Sequence, residues 1–205
     1  MRNLTIRIDT DSGVDNPLDD SGFKLHSFSR RHSNFLHPDK LGFSAPMMRG
    51  AEPGRSKKLQ KMLDDKKAWI CSYYEHGRSA WFLYPNQPVG VEFQWDGASV
   101  AGLLVCELSA KDRKHYKDLD QTAASLLEEY TTWCNGDYVW CSITDSDTDK
   151  EIDSCSGIED INAYLKEHVA LLADAEITYE GELDSLGKPA VDSLLREYRK
   201  SLVPA

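Results

Sequence analysis

From Val100 to Cys106 the chain runs through seven residues without a polar side chain, Gly102 included. A strand with one wet face alternates apolar and polar residues, so this run predicts a buried central strand. It is far too short for a bilayer, which needs about 20 apolar residues. The opposite pattern stands at the start. Leu4-Thr5-Ile6-Arg7-Ile8-Asp9 alternates with period two and predicts an opening strand. With 40% apolar residues and 10% aromatics in 205 residues, the chain has the means to bury a core, which excludes wholesale disorder.

Between these patterns the elements can be read in order. Residues 11–22 form a loop rich in Asp, Ser, Gly and Pro, and Phe23 to Phe28 reads as a strand. Residues 30–53 are irregular, with Pro38, Pro46 and Pro53. Ser56 to Lys67 predicts a helix. Residues 69–74 and 80–84 flank Gly77 as a hairpin, and Trp95-Asp96-Gly97 reads as a tight turn. Leu119, Ala123, Leu126, Leu127 and Tyr130 mark one helix face, stopped at Asn135-Gly136. A second hairpin, 138–144 with 151–155, encloses an Asp-rich turn. Ser156-Gly157-Ile158-Glu159 has the capping-box pattern and predicts a helix start there. Glu176 to Leu183 reads as an edge strand, and Pro189 as the opening of a last helix. The expectation is one α+β domain over residues 1–205, a mostly antiparallel sheet with three or four packed helices. Trp140, Leu126, Val105 and Ile161 are expected to be buried together.

Charge is unevenly placed along the chain. Of 24 basic and 34 acidic residues, the stretch from Asp118 to Asp184 holds 18 acids against Lys150 and Lys166 alone. A solvated acidic face explains many such stretches. A sharper reading compares densities: duplex DNA carries one charge per roughly 1.7 Å of axis, so a domain about 35 Å across faces roughly 20 phosphates. Sixteen net negative charges suit a surface that occupies a basic groove made for nucleic acid. The acids singled out for that partner-binding role are Asp145, Asp147, Asp149, Glu151, Glu159, Asp160 and Glu167. A basic run from Arg49 to Lys67, in an irregular basic segment near 30–67, has no interleaved aromatics and reads as a solvated helix face.

Signatures of chemistry are missing. Asp145-Ser-Asp147-Thr-Asp149-Lys-Glu151 resembles a calcium loop, but Lys150 and Ser156 stand where that loop needs Gly and Glu, so a metal-free hairpin turn is expected. His26, His32 and His37 cluster near Asp39 without zinc spacing. The five cysteines form no CxxC pair, lie in apolar segments and read as reduced cytosolic thiols. Cys134 and Cys141 flank the Asn135-Gly136 turn and could face each other. No GxSxG, GxxxxGK[ST] or GxGxxG motif is present. Neither a cofactor nor catalysis is expected, and the charged, alternating opening shows no secretory signal.

Several local patterns line up: Asp15-Asn16-Pro17, Gly22, Arg30-Arg31, Trp95-Asp96-Gly97, a charged helix opening at Ser109, Asn135-Gly136-Asp137-Tyr138, and Asp149 through Cys155. In this order they resemble a family of small acidic proteins encoded by tailed bacteriophages, over roughly residues 1–170. The aromatic-rich end that usually follows the Ser-Cys pair is replaced by Ser156-Gly157. No activity carries over residue by residue. The resemblance implies a protein made in a bacterial cytoplasm and directed at host machinery. Three functions follow as expectations. The leading one is a non-catalytic inhibitor of a host nucleic-acid-binding defence system, CRISPR or restriction type, which acts as a DNA mimic and binds neither nucleic acid nor membrane. The second is an enzyme or small-ligand module using His26, Arg30, Arg31 and His32, favoured if those residues share a cleft. The third is a virion assembly protein.

Overall fold

The structure is a computed structural model and describes residues 2–44, 54–88 and 90–201. Along the chain come β1 (Arg2–Thr10), β2 (Phe23–Ser27), β3 (Phe43–Ser44), β4 (Gly54–Arg55), α1 (Lys57–Asp64), β5 (Ala68–His76) and β6 (Arg78–Leu83). Then follow α2 (Val91–Asp96), β7 (Gly97–Cys106), α3 (Leu119–Asn135), β8 (Val139–Asp145), β9 (Lys150–Ile158), α4 (Ile161–Glu167), α5 (Val169–Ala173), β10 (Ala175–Glu180) and α6 (Asp184–Ser201). The fold is mixed α+β with mostly antiparallel pairing. Six α-helices lie among the described residues, four of them seven residues or longer.

The chain divides into two compact units, residues 1–14 with 136–205, and residues 15–135. This division puts the basic 30–67 segment in the second unit and splits the acidic 118–184 stretch between both.

In the first unit the strand order is β10-β1-β8-β9, with β1 parallel to β10 and antiparallel to β8. The alternation in β1 aims Leu4, Ile6 and Ile8 at one face, where they are buried with Cys141, Ile143, Leu165, Leu172 and Val191. Helices α4, α5 and α6 supply the last three of these side chains. The other face carries Asn3, Thr5, Arg7 and Asp9.

In the second unit the order is β2-β7-β5-β6. Because β7 is central and covered on both faces, its residues 101–104 are all buried. Leu104 and Cys106 join Phe23, Leu25, Cys71 and Trp81 against Ala123, Leu127 and Tyr130 of α3. Leu103 turns the other way and meets Phe43, Ala68, Ile70 and Leu59 of α1. Helix α1 starts where the Ser56 hydroxyl accepts the Leu59 amide, and α3 where the Asp118 carboxylate accepts those of Asp120 and Gln121.

Five expectations are corrected. Strand β9 continues through Ser156 to Ile158, and α4 begins instead after Asp160, whose carboxylate accepts the Asn162 and Ala163 amides. Gly157, at φ 67, gives the strand the bend it needs there. Trp95 and Asp96 lie in the short helix α2 rather than a tight turn. Gly97 ends that helix, and an added Cβ there would come within 2.5 Å of the Phe93 carbonyl. Pro189 stands inside α6, in its second turn, and not at its start. Trp140, Leu126, Val105 and Ile161 are all half-buried and do not share a core. Leu126 flanks the α3 core, Val105 the α1 core and Ile161 the first unit's core, whereas Trp140 lies on the polar sheet face under Arg7. Finally, Cys134 and Cys155 are exposed. Cys155 belongs to β9, an edge strand with little cover.

Candidate functional site

The structural division sorts the charge. The first unit holds 18 acidic and eight basic residues, a net of -10, and the second holds 16 of each. The whole excess of the chain therefore belongs to one unit of 84 residues. In the neutral unit, Asp120 of α3 answers Lys66 just past α1: Lys66 Nζ and Trp69 Nε1 both donate to its carboxylate, which lowers its pKa. Arg49, at the head of the basic run, lies outside the described residues.

The seven acids singled out fall into two groups. Asp147, Asp149 and Glu151 are exposed at the β8–β9 hairpin. Asp145 is half-buried and holds the turn itself, accepting the amides of Asp147 and Thr148; its pKa is lowered first by the Thr148 hydroxyl and then by these amides. Asp149 closes the turn at φ 59, a conformation Asp tolerates better than most residues. Glu159 and Asp160 lie past the far end of β9, eight and nine residues from Glu151, which is about 25–30 Å of extended chain. Glu159 accepts from the Tyr138 hydroxyl, Asp160 caps α4, and Glu167 is exposed at the end of α4.

Sequence reasoning missed a further set. Residues directly opposed in neighbouring strands share a face, and the registers place Glu176, Thr178 and Glu180 beside Asn3, Thr5 and Arg7. On the other side of β1 come Ser142 and Thr144, then Ser154 and Glu151. The polar face is thus a strip of hydroxyls and amides edged by Glu176 and Glu180 on β10 and Glu151 on β9. The two edges are three strand spacings apart, about 14 Å. Duplex DNA sets its phosphate rows on either side of grooves about 12 and 6 Å wide. Arg7 on this face is held at 2.7 Å by Asp9, lies over the Trp140 ring at 6.0 Å, and has its pKa raised by that carboxylate. The signal was available in the alternation of β10, once its pairing with β1 was known.

Of the His/Arg segment, the structure brings Arg31 and His32 together in a cleft of about 460 Å³, walled by Phe28, Tyr73, Trp81 and Trp95. His26 lies on β2 opposite Leu103, its pKa lowered by burial, and Arg30 is exposed in the following turn. His37 faces Asp39 at 3.3 Å. In the cleft, His32 Nδ1 is 2.7 Å from Ser27 Oγ, and its ring meets Tyr73 and Trp81 edge-on. Burial lowers the pKa of His32 and favours its neutral form. Ser27 is fully buried and its Oγ accepts the Ser29 amide. The pair therefore braces the loop that follows β2. Arg31 is bonded to Glu75, and His76 to Asp96, at the cleft mouth.

Among the described residues, no three His, Cys, Asp or Glu side chains are grouped to hold a metal, and no helix is long and apolar enough to cross a membrane. No family model, curated protein or solved structure matches the chain.

Proposed function

We propose that the protein is a phage-encoded, non-catalytic inhibitor of a host nucleic-acid-binding defence complex, of CRISPR or restriction type. Its acidic unit occupies the basic channel that the complex offers to DNA. The observation that carries this reading is the sorting of charge: a net of -10 on one unit beside a neutral one. A solubility role asks for no such segregation, whereas a surface that competes with phosphates needs its acids concentrated. The hairpin acids and the carboxylate-edged sheet face supply the contact region.

The test is competition. A captured defence complex should lose DNA binding as the protein is added, and its affinity for the protein should fall as salt rises. A variant with Asp147, Glu151, Glu176 and Glu180 all changed to Lys should lose inhibition while keeping its melting temperature, since these exposed charges add little to stability. If complex, DNA and protein bind together, or if the reversed variant inhibits as before, mimicry is excluded.

A second reading has its own observation. Arg31 and His32 converge on an aromatic-walled cleft, which fits the neutral unit as a small-ligand module. Trp95, 71% exposed at that cleft, would report occupancy by a change in fluorescence that the Trp95→Phe variant lacks.

A further inference from the structure

Cys141 on β8 and Cys155 on β9 are register partners in an antiparallel pair. Directly opposed residues of such a pair have Cα atoms about 4.5–5.5 Å apart, inside the 4.4–6.8 Å range that a disulfide spans. Their side chains share the face toward α4. Asp153, also on that face as the partner of Ile143, shows the direction: Tyr164 Oη donates to its carboxylate at 2.9 Å, and His168 Nε2 lies 3.0 Å from the same oxygen. The two thiols differ in access. Cys141 is fully buried, while Cys155 is exposed, its S–H directed at the Ser156 carbonyl. No other cysteine has such a partner. Cys71 pairs with Leu83 and Gly102, Cys106 pairs with Phe23, and Cys134 is in the other unit.

We propose that Cys141 and Cys155 form a reversible intramolecular disulfide by exchange with a low-molecular-weight disulfide such as oxidised glutathione. The exposed Cys155 thiolate attacks one glutathione sulfur, and the other glutathione leaves as a thiolate that takes up the proton Cys155 lost. Cys141, deprotonated in turn, attacks Cys155 Sγ and expels the second glutathione, which is protonated likewise. Two protein thiols are oxidised and one glutathione disulfide is reduced to two thiols. The second step is the slow one. Burial first, then the charges of Asp153 and Cys155, push the Cys141 thiol up to about 12. Its thiolate fraction near neutrality is therefore small and rises about tenfold per pH unit. Tyr164 and His168 are the other titratable groups facing this spot. The new bond ties the edge strand β9, and with it the acidic hairpin, to the sheet interior.

The experiment equilibrates the full chain with glutathione buffers of increasing oxidised fraction, then quenches with acid, alkylates and maps peptides by mass spectrometry. The expected result is a Cys141–Cys155 cross-link, a fall in free thiols from five to three, and full reversal by dithiothreitol. The cross-linking rate should rise about tenfold from pH 7 to pH 8. Cys141→Ser should leave Cys155 as a stable glutathione adduct, and Cys155→Ser should leave residue 141 reduced. A wild-type protein that stops at the Cys155 adduct, links Cys155 to Cys134, or keeps all its thiols overturns the proposal.

Discussion

Each unit has one four-stranded sheet, yet in the neutral unit helices and loops cover both of its faces and in the acidic unit they cover one. The consequence reaches down to the residue pattern. Strand β7, buried on either side, is apolar throughout its middle, whereas β10 alternates half-buried and exposed residues along its whole length. A face that needs no cover can hold Thr, Ser and Glu at little desolvation cost. The unit with the spare face is also the one that carries the net charge of the chain. On the function proposed above, stability and recognition are allotted to different surfaces, the buried sheet faces and the open one.

The contrast can be broken most directly in the core. Leu104→Ala, at a fully buried site in the doubly covered sheet, should cost about 2–5 kcal/mol in urea melts. Thr178→Ala on the open face of β10 should cost less than about 0.5 kcal/mol. Equal effects would mean that the two sheets are not covered as described. A smaller loss is expected at the α4 cap: Asp160→Ala should cost about 1 kcal/mol, while Ser156→Ala should be silent. The reverse result would restore a helix start at Ser156.

Acid sensitivity sharpens the comparison further. In the neutral unit the Asp120 pKa is lowered, first by Lys66 and then by Trp69, from an ordinary value of 3.8. A lowered folded-state value stabilises the protein above the unfolded one, and that contribution disappears as pH falls through the depressed value. Asp120→Asn should therefore flatten the acid limb of a melting-temperature profile, with little change in slope above about pH 5. Asp9 and Asp145 should act in the same direction in the acidic unit. The smallest effect belongs to the hairpin tip. Asp147→Ala should alter stability by under about 0.5 kcal/mol, since its side chain accepts one exposed bond from Asn3.

Legibility from the sequence follows the same line between covered and open surface. Period-two alternation in 4–9, the apolar run at 100–106 and the 119–130 helix face were readable because burial dictates each pattern, of one face in the first and last and of both faces in the second. The helix start at 156–160 was not. Ser156 and Asp160 are both good caps, and the choice falls to Ile158, which is 8% exposed and pairs with Val139 across the sheet. Pro189 was misplaced for a related reason: packing of α6 on the sheet tolerates the loss of one intrahelical bond near its start. Of the candidate sites, the hairpin acids could be read locally. The acids of β10 could not be joined to them, because their shared face exists only through β1, far away in the chain. The Cys141–Cys155 pairing depends on a register with shifts on either side, between Val139 and Cys141 and between Ile143 and Thr144, and spacing alone does not reveal it.

Strand β1 lies between β8 and β10, both of which follow it by more than 120 residues. On the ribosome, at about 5–20 residues per second, β1 is made on the order of ten to thirty seconds before β10. During that interval the whole neutral unit, residues 15–135, is completed and can fold. The acidic unit is thus completed last, around a strand made before its partners, and a chain that ends before Val139 lacks both strands that flank β1 in the fold.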